Sequence, residues 1–278
     1  MIYNKICGIY GNPVGHSLSP LIHNHLFKKY KFNYEYYAFE IYDIENAIKL
    51  IRKENIRGVS ITIPFKISVV KYLDKVSDLA GKIGAVNTIV NDNGILTGYN
   101  TDAYGVTQTF KKRDIQLTGK NIALLGNGGA AKAVAFSIIS EFKINSLKII
   151  GRNKDKLSEL LKEIADKTGF SQIAIEEFCN GKYNIKKEED VIINSASVGM
   201  HPETENSLIA EEACLDYSDK IFFDVIYNPR KTLMLKNAES KGATIINGMD
   251  MFIFQAMRQH FLWTDNDKIK YEDVVEAL

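Results

Sequence analysis

The chain has 278 residues, 45% hydrophobic and 25% charged, which predicts roughly two globular domains, each long enough to bury its own core. With 35 Lys and Arg against 34 Asp and Glu the formal charge is +1, so neither nucleic acid nor an anionic membrane is expected as the main partner. No apolar run approaches the roughly 18 residues of a spanning helix, and the N-terminus lacks the apolar core of a signal peptide. Three scattered cysteines, Cys7, Cys179 and Cys214, have no CxxC spacing, which argues against a disulfide framework or structural zinc and favours a reducing cytoplasm.

In chain order, Lys5 to Tyr10 reads as a short apolar strand. Ser19-Pro20 predicts a helix start, with Ser19 as N-cap and Pro20 in the first turn, running to about Tyr30. Tyr34 to Phe39 is strand-like, and Ile44, Ala47, Ile48 and Ile51 give helical spacing over Ile44 to Glu54. Gly58 to Thr62 predicts a strand, Pro64 a further helix start, and Asn91-Asp92-Asn93-Gly94 a hairpin between Asn87 to Val90 and Ile95 to Tyr99. From Lys120 the pattern becomes strand, helix, strand: strands near Asn121 to Leu125, Leu147 to Ile150, Ile173 to Phe178, Asp190 to Asn194, Ile221 to Val225 and Ala243 to Ile246, with helices after the first two. Such repetition predicts a parallel sheet covered on both faces. Gly248 to Trp263 and Tyr271 to Leu278 read as helices, and no internal repeat or low-complexity linker stands out.

Gly126-Asn127-Gly128-Gly129-Ala130-Ala131 fits G-x-G-x-x-A, directly after a strand and opening a helix. The first glycine permits a tight turn, the second lets backbone approach a pyrophosphate, and the small third position lets helix and strand pack closely. The helix N-terminus offers N–H groups to phosphate, although a glycine-rich turn without a ligand has the same pattern. After the next strand comes Arg152, with Lys154 and Lys156 behind it, where an NAD enzyme usually carries an acid. A guanidinium can hold two oxygens of a 2′-phosphate, which favours NADP. The bland alternative is a solvated basic loop, and Asp155 is a carboxylate close by.

Further segments carry polar residues in a distinctive order: Gly11-Asn12-Pro13-Val14-Gly15-His16-Ser17-Leu18-Ser19-Pro20, Ser60-Ile61-Thr62-Ile63-Pro64-Phe65-Lys66, Gly84-Ala85-Val86-Asn87-Thr88, and Gly98 to Gly105. Asn194 to Met200, Asp224-Val225-Ile226-Tyr227-Asn228-Pro229 and Gly248 to Ala256 follow. Together with the glycine loop these segments closely resemble the shikimate dehydrogenase family over nearly the whole chain, in the family's order and spacing.

The resemblance implies an α/β fold: an N-terminal α/β substrate domain over residues 1–102 joined by helices at about 249–278, and a Rossmann-like NADP-binding domain over residues 103–248. It implies NADPH-dependent reduction of 3-dehydroshikimate, in monomers or homodimers, on the route to aromatic amino acids. Ser17 and Ser19 would hold the substrate carboxylate, helped by Tyr227, while Thr62, Asn87, Asp102 and Gln255 would take ring hydroxyls. Lys66 matches the family's catalytic lysine, with Asp102 as its partner. Gly126, Asn127, Gly128, Gly129 and Ala130 match the pyrophosphate loop, Arg152 the 2′-phosphate arginine, and backbone around Met200, Ile226 and Gly248 would lie near the nicotinamide. The chain departs from the family at Asn127 (usually Ala), at Ala196 (commonly Thr), and at Gly151-Arg152-Asn153, where Asn-Arg-Thr is common.

As an ammonium, Lys66 could give a proton to the carbonyl oxygen and stabilise the developing negative charge, but which of Lys66 and Asp102 transfers the proton is open. Each site residue also has a structural alternative. Ser17 and Ser19 could cap the first helix, Asp102 could cap a helix starting at Thr101, and Lys66 could be a surface lysine. His23 and His25 are two apart on a helix and do not share a face, and no metal is expected. A quinate/shikimate dehydrogenase using NAD or NADP, a catalytically inactive NADP-binding sensor, and another Rossmann-type enzyme such as a methyltransferase remain rival functions.

Overall fold

The computed structural model describes residues 5–210 and 216–278, so Cys214 lies outside the described residues. The chain divides into two compact units, one running through Gly105 and resuming over Ile253–Leu278, the other spanning Val106–Phe252. No helix among the described residues is long and apolar enough to cross a membrane.

In the first unit β1 (Lys5–Gly11), β2 (Tyr34–Glu40), β3 (Gly58–Ile61), β4 (Lys75–Val76), β5 (Thr88–Asp92) and β6 (Ile95–Tyr99) form a mixed sheet in the order β2-β1-β3-β5-β6-β4. β1 runs parallel to β2 and β3, whereas β3, β5 and β6 are successively antiparallel. The hairpin signal holds: Asn93 and Gly94 both take positive φ, 54° and 92°, as a two-residue turn matched to strand twist requires.

Side chains alternate across this sheet, so each face is a separate row. On one face Tyr10, Val59, Ile61 and Ile89 pack with Ile44, Ala47, Ile48 and Ile51 of α2 (Ile44–Lys53). The Asp43 side chain caps α2 by accepting the N–H groups of Glu45 and Asn46. Burying each of its isoleucines stabilises the unit by roughly 1.5–3 kcal/mol. On the other face Cys7, Ile9, Tyr36 and Val90 pack with Phe27 of α1 (Ser19–Lys29) and with Trp263.

Two expectations are corrected here. Ser19 is not the N-cap of α1, because Leu18 holds that place and Ser19 is already helical. The Ser17 hydroxyl accepts the Ser19 N–H at 3.2 Å, and Ser19 turns inward and is buried. Pro64 does not open an α-helix: the Phe65 N–H returns to the Thr62 carbonyl in a tight turn, and only a 3₁₀ segment, Ser68–Tyr72, follows. Short α3 (Asp78–Ile83) and α4 (Thr101–Lys112) complete the run, and the division between the units falls within α4.

In the second unit β7 (Asn121–Leu125), β8 (Ser146–Gly151), β9 (Ile173–Glu177), β10 (Val191–Asn194), β11 (Ile221–Asp224) and β12 (Thr244–Ile246) form an all-parallel sheet in the order β12-β11-β10-β7-β8-β9. This is the doubly wound order, with its switch point between β7 and β10. The strands are nearly continuous apolar runs because both faces are covered: Phe222 meets Tyr217 on one side and Phe223 meets Phe110 of α4 on the other. The accompanying helices are α5 (Gly129–Glu141), α6 (Lys154–Thr168) and α7 (Leu233–Ser240). Chain order ends with α8 (Met249–Thr264), which also contains a unit boundary, and α9 (Tyr271–Val275).

Candidate active site

In the first unit the turn after β3 delivers Lys66 and the first turn of α4 delivers Asp102. Lys66 Nζ donates to Asp102 Oδ2 at 2.6 Å, with side chains only 18% and 8% exposed. Asn87, just before β5, donates from Nδ2 to Asp102 Oδ1 at 2.8 Å, so both carboxylate oxygens have a donor. The alternative that Asp102 caps α4 fails, since the cap is Asn100, whose Oδ1 accepts the Ala103 N–H at 3.2 Å. The surface-lysine alternative for Lys66 fails with it: a half-buried lysine paired with a buried carboxylate is tied in place, and its backbone carbonyl accepts the Val86 N–H at 2.8 Å.

Thr62 directly follows β3, its N–H donated to the Tyr10 carbonyl at 2.9 Å and its side chain half-buried. Ser17 and Ser19 stand together at the start of α1, and the Ser19 hydroxyl lies beside that of Tyr36, whose phenol burial pushes well above its ordinary value. Gln255 is buried on α8.

In the second unit β7 runs into the glycine loop. Gly126 has φ +112°, and a Cβ there would meet Ser195 Oγ at 2.8 Å, so only glycine fits. At Gly128 a Cβ would meet nothing within 4 Å, which leaves open space beside the backbone. Ala131, the small third position, is fully buried as helix-to-strand packing requires. No described side chain caps α5 and its first turn carries no acid, so its free N–H groups suit a pyrophosphate. Asn127, Gly129 and Ala130 are half-buried in this loop.

Arg152 follows β8, exposed, with no ion pair to another described residue. Its neighbours are already engaged: the Asn153 side chain accepts the Lys156 N–H at 2.9 Å, and Glu177 at the end of β9 accepts the Lys154 N–H at 3.1 Å. The Lys156 side chain is exposed.

The loops after β10, β11 and β12 carry Met200, Ile226 and Gly248. The Gly248 N–H donates to the Ile226 carbonyl at 2.9 Å, and a Cβ on Gly248 would overlap the Val225 carbonyl oxygen. The Met200 N–H returns to Ser197 at 3.1 Å, and Met200 is 40% exposed. Tyr227 stacks on Phe252, ring centroids 4.1 Å apart. Under these loops lies Asp224, which sequence reasoning did not single out. It accepts from the Thr232 hydroxyl at 2.7 Å and from Asn194 Nδ2 and the Ile226 N–H at 3.1 Å each. Burial pushes its carboxyl up to about 6.

Residues 9–89 match the family described as the shikimate dehydrogenase substrate binding domain. The chain is 42% identical over 264 residues to the shikimate dehydrogenase (NADP(+)) of Caldanaerobacter subterraneus subsp. tengcongensis, covering 94% of this chain and 91% of that one. The chain belongs to the shikimate dehydrogenase family. A crystal structure of a shikimate dehydrogenase in complex with NADP+ superposes with a TM-score of 0.89 at 35% identity, covering 99% of this chain and 94% of that one. The Listeria monocytogenes shikimate 5-dehydrogenase, solved with shikimate and NAD, gives 0.85 at 30% identity, covering 98% and 96%.

Beside the residues expected from the family motifs, the first unit contains others that sequence reasoning missed. Ser60, Thr88, Thr101 and Gln259 are buried polar groups around Asn87. Gln259 had a signal: it lies four residues after Gln255 and four before Trp263, so all three share one stripe of α8. Ser60 and Thr88 had none, because their pairing across β3 and β5 is a long-range register.

Proposed function

We propose that this chain is a shikimate dehydrogenase, reducing the ring ketone of 3-dehydroshikimate reversibly with NADPH and serving aromatic amino acid biosynthesis. The observation that carries the reading is the pair of half-buried Lys66 and buried Asp102, held from the far side by Asn87. Bound NADPH supplies the hydride; the chain supplies orientation, charge and the proton. Lys66 Nζ donates a proton to the carbonyl oxygen as alkoxide character develops, and in the reverse direction accepts it from the shikimate hydroxyl. Asp102 keeps Lys66 aimed and accepts a neighbouring ring hydroxyl. Thr62, Asn87 and Gln255 bind the remaining hydroxyls, and Ser17 and Ser19 bind the carboxylate with Tyr227. The loop from Gly126 to Ala130 takes the pyrophosphate, Arg152 and Lys156 the 2′-phosphate, and the backbone at Met200, Ile226 and Gly248 the nicotinamide. The first unit is thus the substrate domain and the second the cofactor domain. Cys7 and Cys179 are free thiols, which suits a reducing compartment, and we place the enzyme in the cytosol.

The test is reduction of NADP and of NAD, followed by absorbance, with shikimate and then quinate. Fast NADP reduction with shikimate alone is the expected result; silence in all four combinations points instead to a cofactor-binding protein without chemistry. One observation favours a relaxed cofactor choice: the Glu177 carboxylate sits on the Lys154 N–H, beside the place assigned to a 2′-phosphate. The dual-substrate, dual-cofactor class therefore stands second, and comparable rates with NAD or quinate would install it. Arg152→Ala is expected to weaken NADPH binding by roughly tenfold to a hundredfold and leave NADH binding within about threefold. Fluorescence titration of both reduced cofactors checks this; an equal effect on both removes Arg152 from phosphate recognition.

A further inference from the structure

A line of buried polar groups crosses the face of the first sheet that α8 covers, and it ends on the Lys66–Asp102 pair. Its members come from separate elements: Tyr36 on β2, Ser60 on β3, Thr88 on β5 and Gln259 on α8. The register pairs Ser60 with Thr88, so period-two alternation puts both on one face. Gln259 spans them from above. Each is at most 4% exposed, among apolar neighbours such as Trp263.

Two backbone groups decide which way the hydrogen bonds run. Gln259 Nε2 lies 3.3 Å from the Asn87 carbonyl oxygen, which can only accept, so that end of the amide must be the NH₂. Asn87 Oδ1 lies 2.7 Å from the Thr101 N–H, which can only donate, so that end of the amide must be the oxygen. The remaining bonds line up with these two, beside a branch at Thr101, whose hydroxyl lies 2.9 Å from Asn87 Nδ2 and 3.2 Å from Thr88 Oγ1. Tyr36 donates to Ser60 at 2.7 Å, and Ser60 donates to Gln259 Oε1 at 3.0 Å. Gln259 Nε2 donates to Thr88 Oγ1 at 3.0 Å, and Thr88 donates to Asn87 Oδ1 at 2.9 Å. Asn87 Nδ2 then donates to Asp102 Oδ1 at 2.8 Å, leaving Oδ2 for Lys66.

We propose that Gln259, acting through Thr88 and Asn87, is a positioning residue for the reaction: its N–H occupies the Thr88 oxygen and turns that hydroxyl toward Asn87 Oδ1 and Thr101 Oγ1, and this braces the Asn87 amide that the Thr101 N–H orients, and hence Asp102 on Lys66. The proposal rests on the assignment of Lys66 and Asp102 to the chemistry. Gln259 touches no reacting atom. Without its amide the Thr88 hydroxyl can turn, the Ser60 hydroxyl loses its acceptor, and the Asn87 carbonyl loses a donor, so the Asn87 side chain is held by Thr101 and Asp102 without that bracing. Buried networks of this kind are cooperative, so the loss reaches beyond one bond.

Thr88→Val removes the hydroxyl at nearly constant shape, and Thr88→Ser restores it. Thr88→Val and Gln259→Met are each expected to lower kcat by roughly tenfold to a hundredfold and to weaken shikimate binding, measured by calorimetry, by about tenfold. NADPH affinity is expected to stay within about twofold, and Thr88→Ser to recover most of both losses. In an Asp102→Asn background, Gln259→Met is expected to add less than about threefold, because its effect runs through the carboxylate already altered. Equal damage from Thr88→Ser and Thr88→Val, or a full further loss on top of Asp102→Asn, overturns the proposal. Unchanged shikimate binding in both Thr88→Val and Gln259→Met overturns it as well. A wild-type chain that binds shikimate without turning it over would fail the proposed reaction alone, since the binding measurements still decide the role of Gln259.

Discussion

Replacing Lys66 with alanine is expected to lower kcat by about two to four orders of magnitude, with only a modest change in shikimate binding. Two losses combine. In the proposed reaction the proton donor is lost from beside the carbonyl oxygen, and the positive charge that would stabilise the developing alkoxide is lost with it. Asp102 keeps its Asn87 donor but faces the site without a counter-charge. Lys66→Arg is not expected to rescue, because a planar guanidinium does not fill the place of a compact ammonium 2.6 Å from Asp102 Oδ2. Steady-state kinetics in both directions, with calorimetry for shikimate, checks this. Turnover near that of the wild type in Lys66→Ala would take Lys66 out of the chemistry.

The second large effect concerns acid stability. His23 on α1 and His260 on α8 are both fully buried, with parallel rings 6.0 Å apart. Tyr36, Phe27, Phe32 and Trp263 surround them; His23 stands beside Gln259, and neither ring nitrogen of His260 has a hydrogen-bond partner among the described residues. Burial disfavours the charged imidazolium, holding His260 down to about 3 and His23 well below its ordinary value, with the neighbouring histidine adding to the effect on His23. An unfolded histidine titrates near about 6.5. Below that pH the unfolded chain binds protons that the folded chain refuses, so stability is lost as pH falls from roughly 6.5 toward the folded value of His260. Each histidine is worth about 1.4 kcal/mol per pH unit in that window. The double variant His23→Leu, His260→Leu is therefore expected to lose stability less steeply than the wild type, by roughly 2–3 kcal/mol per unit between pH 6 and 4.5. Urea titrations at several pH values measure the difference, and comparison with the wild type cancels the other titrating groups. Parallel stability curves would show that the pair is charged in the fold.

The parts of this molecule legible in the sequence are those governed by short-range periodicity. The stripe Ile44, Ala47, Ile48 and Ile51 announces α2, because one helical face must be apolar to be buried. The apolar runs from β7 to β12 announce a doubly covered sheet, and the glycine loop is legible because Gly126 must take positive φ. Misreadings arise where a local signal had two outlets. Ser19-Pro20 looks like a cap, but Ser17 takes the Ser19 N–H, and burial against Tyr36 turns Ser19 inward. Pro64 looks like a helix start, but a turn back to Thr62 satisfies the backbone first.

By itself, then, the sequence determined the order of the elements, the α/β class and the glycine loop through chemistry local to each segment, while Lys66, Asn87 and Asp102 stood out only through the resemblance to the family. Only the tertiary structure decided that Asn87 donates to Asp102 and that Ser60, Thr88 and Gln259 stand behind it. The reason is one of distance along the chain: a hydrogen bond between residues 171 positions apart, as from Gln259 to Thr88, leaves no periodic trace. Its direction is set by backbone groups that meet only when the sheet and α8 have packed.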